Sequence, residues 1–365
     1  MLILGIESSC DDTAASLLEL SETDSGAPVL KLLSNVVSSQ TKIHAEYGGV
    51  VPEIASRCHA ENISKVVRGA MAEGGKCFSD IGAIAVTFAP GLIGSLLVGV
   101  SYAKSLASAL GVPIIPVDHI EAHAAAAYLQ YPDVTGDYLA LIVSGGHTSF
   151  YKVTDYAFEE IGGTRDDACG EAFDKVGRVM GLPYPGGAAM DKLAAAGFAR
   201  EEYKNIKFPS PAMNDGTLEF SFSGLKTAVI NHIHKLTQQL KLTHGSELPD
   251  SVKEDIAAAF TKVTLDGICA KLADALKSEK VSHLVLAGGV AANSHLRAGV
   301  KAVCEKHGIV AAIPSMALCG DNGAMTAAAG AMLYRAGITA DSAMNAFASD
   351  ESSKQYLDSL RKNVK

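Results

Sequence analysis

Leu139-Ala140-Leu141-Ile142-Val143-Ser144-Gly145-Gly146-His147-Thr148-Ser149-Phe150 reads as a buried strand, a turn of small residues and the start of a second strand that runs to Val153. The amino end follows the same pattern. Leu2 to Ile6 is a short apolar run, Glu7-Ser8-Ser9-Cys10-Asp11-Asp12-Thr13 is a polar turn, and Ala14 to Leu18 is apolar again. This echo predicts an α/β chain of two similar βββαβα halves, each placing a Gly/Ser/Thr turn at a central cleft, with two lobes closing over one ligand. Such turns can hold a phosphate, and Asp11 and Asp12 could position a metal or accept a proton. An ordinary hairpin whose Asp and Ser side chains cap their own turn is the commoner use of these residue types.

Working outward, Val29 to Val37, Ile81 to Thr87, Val112 to Val117 and Val310 to Ile313 read as further strands, as does the run from Leu284. Pro52 opens a long helix to about Ala72. Its Arg57, His59, Lys65 and Arg68 read as a solvated, weakly basic face. Ala89-Pro90-Gly91-Leu92 leads into a helix to about Leu110, where an anion site is only weakly signalled. Further helices are expected after Cys169, from Ala188 carrying Asp191, from Ser251 to Leu276, and from Asp321 to Tyr334. The polar, Pro-containing stretch 201–219 reads as a surface insertion, and the polar tail is helical around Lys354 to Leu360.

The strongest chemical signal is Val117-Asp118-His119-Ile120-Glu121-Ala122-His123, followed by Ala124 to Ala127. Two imidazoles four residues apart on an Ala-rich helix share one face, as metal ligands do. A pair of hydrogen-bonded core histidines fits these seven residues equally well. A third ligand decides between them, and Cys319-Gly320-Asp321-Asn322-Gly323 holds a candidate, with Asp321 as a plain helix cap the competing assignment. Glu121 lies two residues from each His and points away from their face, unlike the base of a His-Glu-x-x-His metalloprotease. In Ala287-Gly288-Gly289-Val290-Ala291-Ala292-Asn293 the glycines would let a flat ring or a phosphate approach the backbone. Asn293 there serves as either a base or ribose contact or a helix cap.

Bulk properties narrow the class. At 365 residues, with 48% apolar and 19% charged residues, the chain is expected to bury two cores. The net charge of −9 excludes indiscriminate nucleic-acid binding, so a polynucleotide substrate requires a local basic patch or a basic partner. Seven scattered cysteines without a C-x-x-C pair suit reduced thiols and a cytoplasmic location. The amino end has no basic n-region, and the apolar run Gly91 to Ala103 is too short to span a bilayer, so no membrane association is expected.

Taken in order, several motifs resemble one family. They are Gly5-Ile6-Glu7-Ser8-Ser9-Cys10-Asp11-Asp12-Thr13, Tyr47-Gly48-Gly49-Val50-Val51-Pro52-Glu53, Pro90-Gly91-Leu92, His119-Ile120-Glu121-Ala122-His123, Ser144-Gly145-Gly146-His147-Thr148, Phe220-Ser221-Phe222-Ser223-Gly224-Leu225-Lys226 and Gly320-Asp321-Asn322-Gly323. The set resembles the tRNA adenosine threonylcarbamoyltransferases, TsaD in bacteria. The resemblance implies a two-lobed actin-like ATPase fold (ASKHA, a duplicated ribonuclease H-like unit) with a central cleft. It implies transfer of threonylcarbamoyl from L-threonylcarbamoyladenylate to the exocyclic amine of the adenosine 3′ of the anticodon in tRNAs reading ANN codons, releasing AMP.

Carried over by position, His119, His123 and Asp321 match the metal ligands for Fe(II) or Zn(II). Ile142, Val143, Ser144, Gly145, Gly146, Asp174, Gly187, Asp191 and Asn293 match the adenylate site, and Asp11 matches an acidic residue assisting the attacking amine. The implied lobes are 1–125 with about 325–345 on the partner-binding side and 126–324 on the adenylate side, leaving 346–365 as a tail. Implied partners are tRNA, a degenerate TsaB-like paralogue and a small TsaE-like P-loop ATPase, with a separate synthase making the adenylate. Three positions depart from the pattern. Asp12 replaces a Glu, Ala89 stands where Gly commonly precedes Pro-Gly-Leu, and Ala122 where Gly usually precedes the second His. The rival assignment is an actin-fold ATPase or small-molecule kinase, which would use the same turns for ATP.

Overall fold

The computed structural model describes residues 1–134 and 137–364. Residues 135, 136 and 365, which the expected second lobe and tail include, lie outside these. The chain divides into two compact units, Met1–Thr135 with Pro314–Lys365, and Gly136–Ile313. Residues 126–134 and 314–324, expected in the second lobe, belong to the first unit.

In the first unit β1 (Leu2–Glu7), β2 (Asp12–Glu22), β3 (Pro28–Ser39), β4 (Ile81–Ala89) and β5 (Ile114–Asp118) form one sheet in the order β3-β2-β1-β4-β5. β1 runs antiparallel to β2 and parallel to β4, with Ile6 opposite Ala15 and Val86. The second unit repeats this plan. β6 (Tyr138–Val143), β7 (Thr148–Thr154), β8 (Ala157–Gly163), β9 (His283–Ala287) and β10 (Val310–Ala312) are ordered β8-β7-β6-β9-β10, with β6 antiparallel to β7 and parallel to β9. The two halves foreseen from the repeated strand-turn-strand are therefore the same five-stranded topology twice. β8 is the strand that periodicity did not signal: Ala157-Phe158-Glu159-Glu160-Ile161-Gly162-Gly163 is half-exposed and polar, and pairing with β7 defines it.

The helices are α1 (Thr41–Ala45), α2 (Pro52–Glu73), α3 (Ile93–Leu110), α4 (His119–Ala125), α5 (Cys169–Val179), α6 (Gly186–Phe198), α7 (Phe222–Gln239), α8 (Asp250–Ser278), α9 (Ser294–His307), α10 (Gly323–Arg335) and α11 (Asp350–Val364). Alternation along β1 sends Leu4 and Ile6 into a core with Ile63 and Val67 of α2 and Leu96 and Val100 of α3. Gly5 faces the other way, onto α10. A Cβ at Gly5 would stand 2.4 Å from Gly323 O, and one at Gly323 would stand 2.5 Å from the Ala15 carbonyl carbon. Only glycine lets this helix lie backbone to backbone on β1 and β2. α3 is long and apolar enough to cross a bilayer, but Leu96, Val100, Ala103 and Ala107 pack into the core of the unit. The tail is not loose. Phe347 and Tyr356 cluster with the buried Phe88, and Leu357 of α11 is in the same core.

His59 departs from the expected solvated face. It is fully buried, its Nε2 lying 3.0 Å from Cys10 O and its Nδ1 2.8 Å from Thr13 Oγ1. The carbonyl fixes Nε2 as the donor, so the threonine hydroxyl donates to Nδ1. Burial lowers the pKa of this imidazole. It ties α2 to the β1–β2 turn that carries Asp11.

Candidate functional site

The end of β5 delivers α4, a seven-residue helix whose start is fixed by Asp118. The Asp118 carboxylate accepts from the Ile120 and Glu121 amides at 2.8 and 3.2 Å. This cap sets the rotation of α4, so that His119 and His123 sit edge to face, 4.6 Å between ring centres. From α10's leading turn, Asp321 places Oδ1 3.3 Å from His123 Nε2 and 3.7 Å from His119 Nε2. The helix cap is Asn322, whose Oδ1 accepts from the Met325 amide at 3.0 Å. Asp321 is therefore not the cap, and its carboxylate faces the imidazoles while its neighbour does the capping.

Two nitrogens and one carboxylate oxygen thus converge within 4.8 Å of one another, a donor set that fits Fe(II) or Zn(II) and leaves coordination positions over. Around it lies a supporting shell that sequence reasoning missed. Glu7 is fully buried at the end of β1 and accepts from the Ser9 amide at 2.6 Å and from Thr87 Oγ1 at 2.5 Å. Its Oε2 also lies 3.4 Å from Thr326 Oγ1 and 3.3 Å from His119 Nδ1, which Ser9 Oγ approaches as well, at 3.1 Å. A carboxylate on Nδ1 fixes the proton there and presents Nε2 as the lone-pair face. The only sequence signal was a carboxylate closing an apolar strand. Burial disfavours charge on His119, but Asp321 and Glu7 outweigh it and raise its pKa to about 9.

Asp11 and Asp12 stand in the β1–β2 turn and at the head of β2, in the same unit. Burial raises the pKa of Asp11, and the charge of Asp321 adds to the effect. Asp12 is pushed up to about 7, again chiefly by burial, and its Oδ1 is buried without a hydrogen-bond partner. Glu121 is engaged elsewhere than at the two imidazoles: Arg361 of α11 holds it at 3.2 Å.

The remaining predicted site residues all fall in the second unit. Ile142 and Val143 are buried at the end of β6, and the Ser144–His147 turn is closed by Ser144 N–H donating to His147 O at 2.7 Å. The Gly170 amide donates to Ser144 O at 3.1 Å, docking the start of α5 on that turn. Asp174 of α5 accepts from the Gly186 amide at 2.7 Å, fixing the start of α6. Asp191 of α6 accepts from the Ser294 amide at 3.2 Å at the head of α9. The ring of contacts closes at Gly288, whose Cα lies against Val143 and whose φ of +94° admits no side chain. Gly145, Gly146, Gly187 and Gly289 face open space, so bare backbone is exposed at these positions. Asn293 caps α9 through its Oδ1, 2.9 Å from the Leu296 amide.

A family model described as TsaD, tRNA N6-adenosine threonylcarbamoyltransferase, matches residues 31–328. The chain belongs to this family. A protein of Pelobacter propionicus named tRNA N6-adenosine threonylcarbamoyltransferase is 50% identical over 331 residues, covering 90% of this chain and 91% of its own length. The Bacillus subtilis protein of the same name is 46% identical over 347 residues, covering 94% of each. Among solved structures, HypF of T. kodakarensis aligns with a TM-score of 0.58 at 14% identity, over 92% of this chain and 48% of its own. That likeness concerns the fold alone. The family assignment favours the transferase over the kinase reading, and the two mixed sheets with their helices are the actin-like α/β fold expected of it.

Proposed function

We propose that this protein transfers the threonylcarbamoyl group of L-threonylcarbamoyladenylate to the exocyclic amine of the adenosine 3′ of the anticodon in tRNAs reading ANN codons. The amine nitrogen bonds to the carbamoyl carbon, the bond from that carbon to the phosphate oxygen breaks, AMP leaves, and the amine loses a proton. The observation that carries the reading is the convergence of His119, His123 and Asp321, a centre that ATP-dependent phosphoryl transfer with Mg does not call for. These three residues would hold Fe(II) or Zn(II), which supplies Lewis acidity toward a carbonyl or an orienting template.

The protein's own groups have the following parts. Glu7 fixes the His119 tautomer. Asp11, with its pKa raised by burial, is able to take the proton released on attack. The backbone of Ile142 to Gly146, with Gly187, receives the adenylate, and Asp174, Asp191 and Asn293 orient it. An amine conjugated with a purine ring is a weak nucleophile, so holding it against an activated anhydride supplies much of the rate. The first unit is assigned the partner-binding side and the second the adenylate. A chain of net charge −9 needs help to hold tRNA, which supports a TsaB-like paralogue and a TsaE-like P-loop ATPase as partners in the cytoplasm.

The test is mass-spectrometric nucleoside analysis of unmodified tRNA incubated with the protein, those partners and preformed adenylate. Threonylcarbamoyladenosine is expected with the wild type and not with metal-depleted but folded His123→Ala or Asp321→Ala. A folded, metal-loaded wild type that yields none refutes the transferase reading.

A further inference from the structure

The head of α9 carries, two residues beyond Asn293, a histidine that nothing in the sequence singled out. His295 lies in the first turn of α9, and its Nδ1 is 2.7 Å from Asp191 Oδ1, while the Ser294 amide reaches Asp191 Oδ2 at 3.2 Å. Both carboxylate oxygens are therefore fixed from one side, by adjacent residues of one helix. The imidazole is itself gripped. The ring of Phe198 lies 4.7 Å from it, and Tyr203 packs edge-on against Phe198 at 5.1 Å. Asp191 and Phe198 are seven residues apart, hence on one face of α6, so α6 supplies both the carboxylate that His295 bonds and the wall it leans on.

We infer that His295 is a positioning residue for the adenylate: it locks the Asp191 carboxylate in the orientation that receives the nucleotide's ribose hydroxyls. This rests on the proposed function, in which Asp191 orients the adenylate. The physical case is torsional. The terminal torsion of an aspartate is broad and roughly two-fold, so a carboxylate held by one long amide bond samples many orientations. Two vicinal hydroxyls are accepted together only from a narrow range of them. The 2.7 Å bond to Nδ1 removes that freedom before the ligand arrives, and the ordering cost is then not charged against binding. A carboxylate at Nδ1 also fixes that nitrogen as the donor. His295 acts through its bond to Asp191, so it is a positioning residue and not a catalytic one.

The experiment measures AMP binding to the full-length protein by calorimetry, and steady-state transfer with preformed threonylcarbamoyladenylate in the reconstituted system, with melting temperatures alongside. His295→Leu keeps bulk against Phe198 but loses the donor. His295→Asn places an amide nitrogen close to the position of Nδ1. The expected result for His295→Leu is a roughly 3- to 10-fold loss of AMP affinity and a matching rise in KM for the adenylate, with kcat within about 2-fold of wild type. His295→Asn is expected to restore most of the affinity. Asp191→Ala loses more, and Asp191→Ala/His295→Leu is expected to bind no worse than Asp191→Ala alone. Wild-type AMP affinity in a folded His295→Leu, or a further loss when it is added to Asp191→Ala, overturns the inference while the adenylate site stands. Wild-type affinity in Asp191→Ala overturns the site reading itself, and the role of His295 with it.

Discussion

Gly323→Ala tests whether the proposed metal centre depends on the backbone contact beneath it. The new Cβ would stand 2.5 Å from the Ala15 carbonyl carbon and 2.6 Å from the Ser16 amide, both main-chain atoms of β2. β2 is an interior strand, paired with β1 on one side and β3 on the other, so it cannot yield. Ordinary contact begins near 3.4 Å, and the head of α10 must therefore lift by about 0.9 Å. Asp321 lies two residues before this point, and metal–ligand distances tolerate only about 0.2 Å.

The displacement is thus several times the tolerance, and metal affinity is expected to fall at least about 10-fold. Stability feels two opposing effects. Ala gains up to about 1 kcal/mol of helix propensity over Gly, whereas overpacking against rigid backbone costs about 1–3 kcal/mol, so a net loss is expected. Gly224→Ala in α7, where a Cβ meets nothing within 4 Å, is the like-for-like control and is expected to be neutral or stabilised. Competition titration of Zn(II) against a chelator and urea unfolding at equilibrium provide the two readouts. If Gly323→Ala binds metal like the wild type, α10 can lift without carrying Asp321, and the account of how the centre is placed is wrong.

Burial raises the pKa of Glu121 to about 7 even beside Arg361, so at about pH 8 Arg361→Gln leaves a buried carboxylate without its cation and is expected to cost about 2 kcal/mol in urea unfolding, largely recovered in Arg361→Gln/Glu121→Gln. Asp167 binds Lys226 and Lys175 in the loop before α5, and although burial works against its charge, those two lysines depress its pKa. A depressed folded pKa stabilises above the unfolded carboxylate's value of 3.8, and that stabilisation is lost as the pH falls through the folded value. Asp167→Asn is therefore expected to be about 1–2 kcal/mol less stable than wild type at pH 7, with the gap closing below about pH 4 in acid-dependent denaturation.

The separation of what was legible from what was not follows the range of the interactions. His119 and His123 were readable because helical spacing alone puts them on one face. The two halves were readable because a buried strand, a small-residue turn and a second strand are local patterns, and they occur at Leu2 and again at Leu139. Cys319 to Gly323 could be named as the source of a third ligand, but Asp321 as cap and Asp321 as ligand are identical in sequence. Only the Asn322 hydrogen bond to Met325 separates them. β8 escaped because its definition is its partner, and His59 was misplaced because its polarity is answered by Thr13 and Cys10, more than forty positions away.

By itself, then, the sequence determined the duplicated α/β plan, the family and the paired imidazoles, since each is written in spacing along one element or in ordered motifs. Tertiary structure alone decided that Glu7 sits behind His119, that α11 braces α4 through Arg361, and that His295 holds Asp191. Each of these joins residues about a hundred positions or more apart, and their pairing is fixed by the sheet register and helix packing that bring distant backbone together.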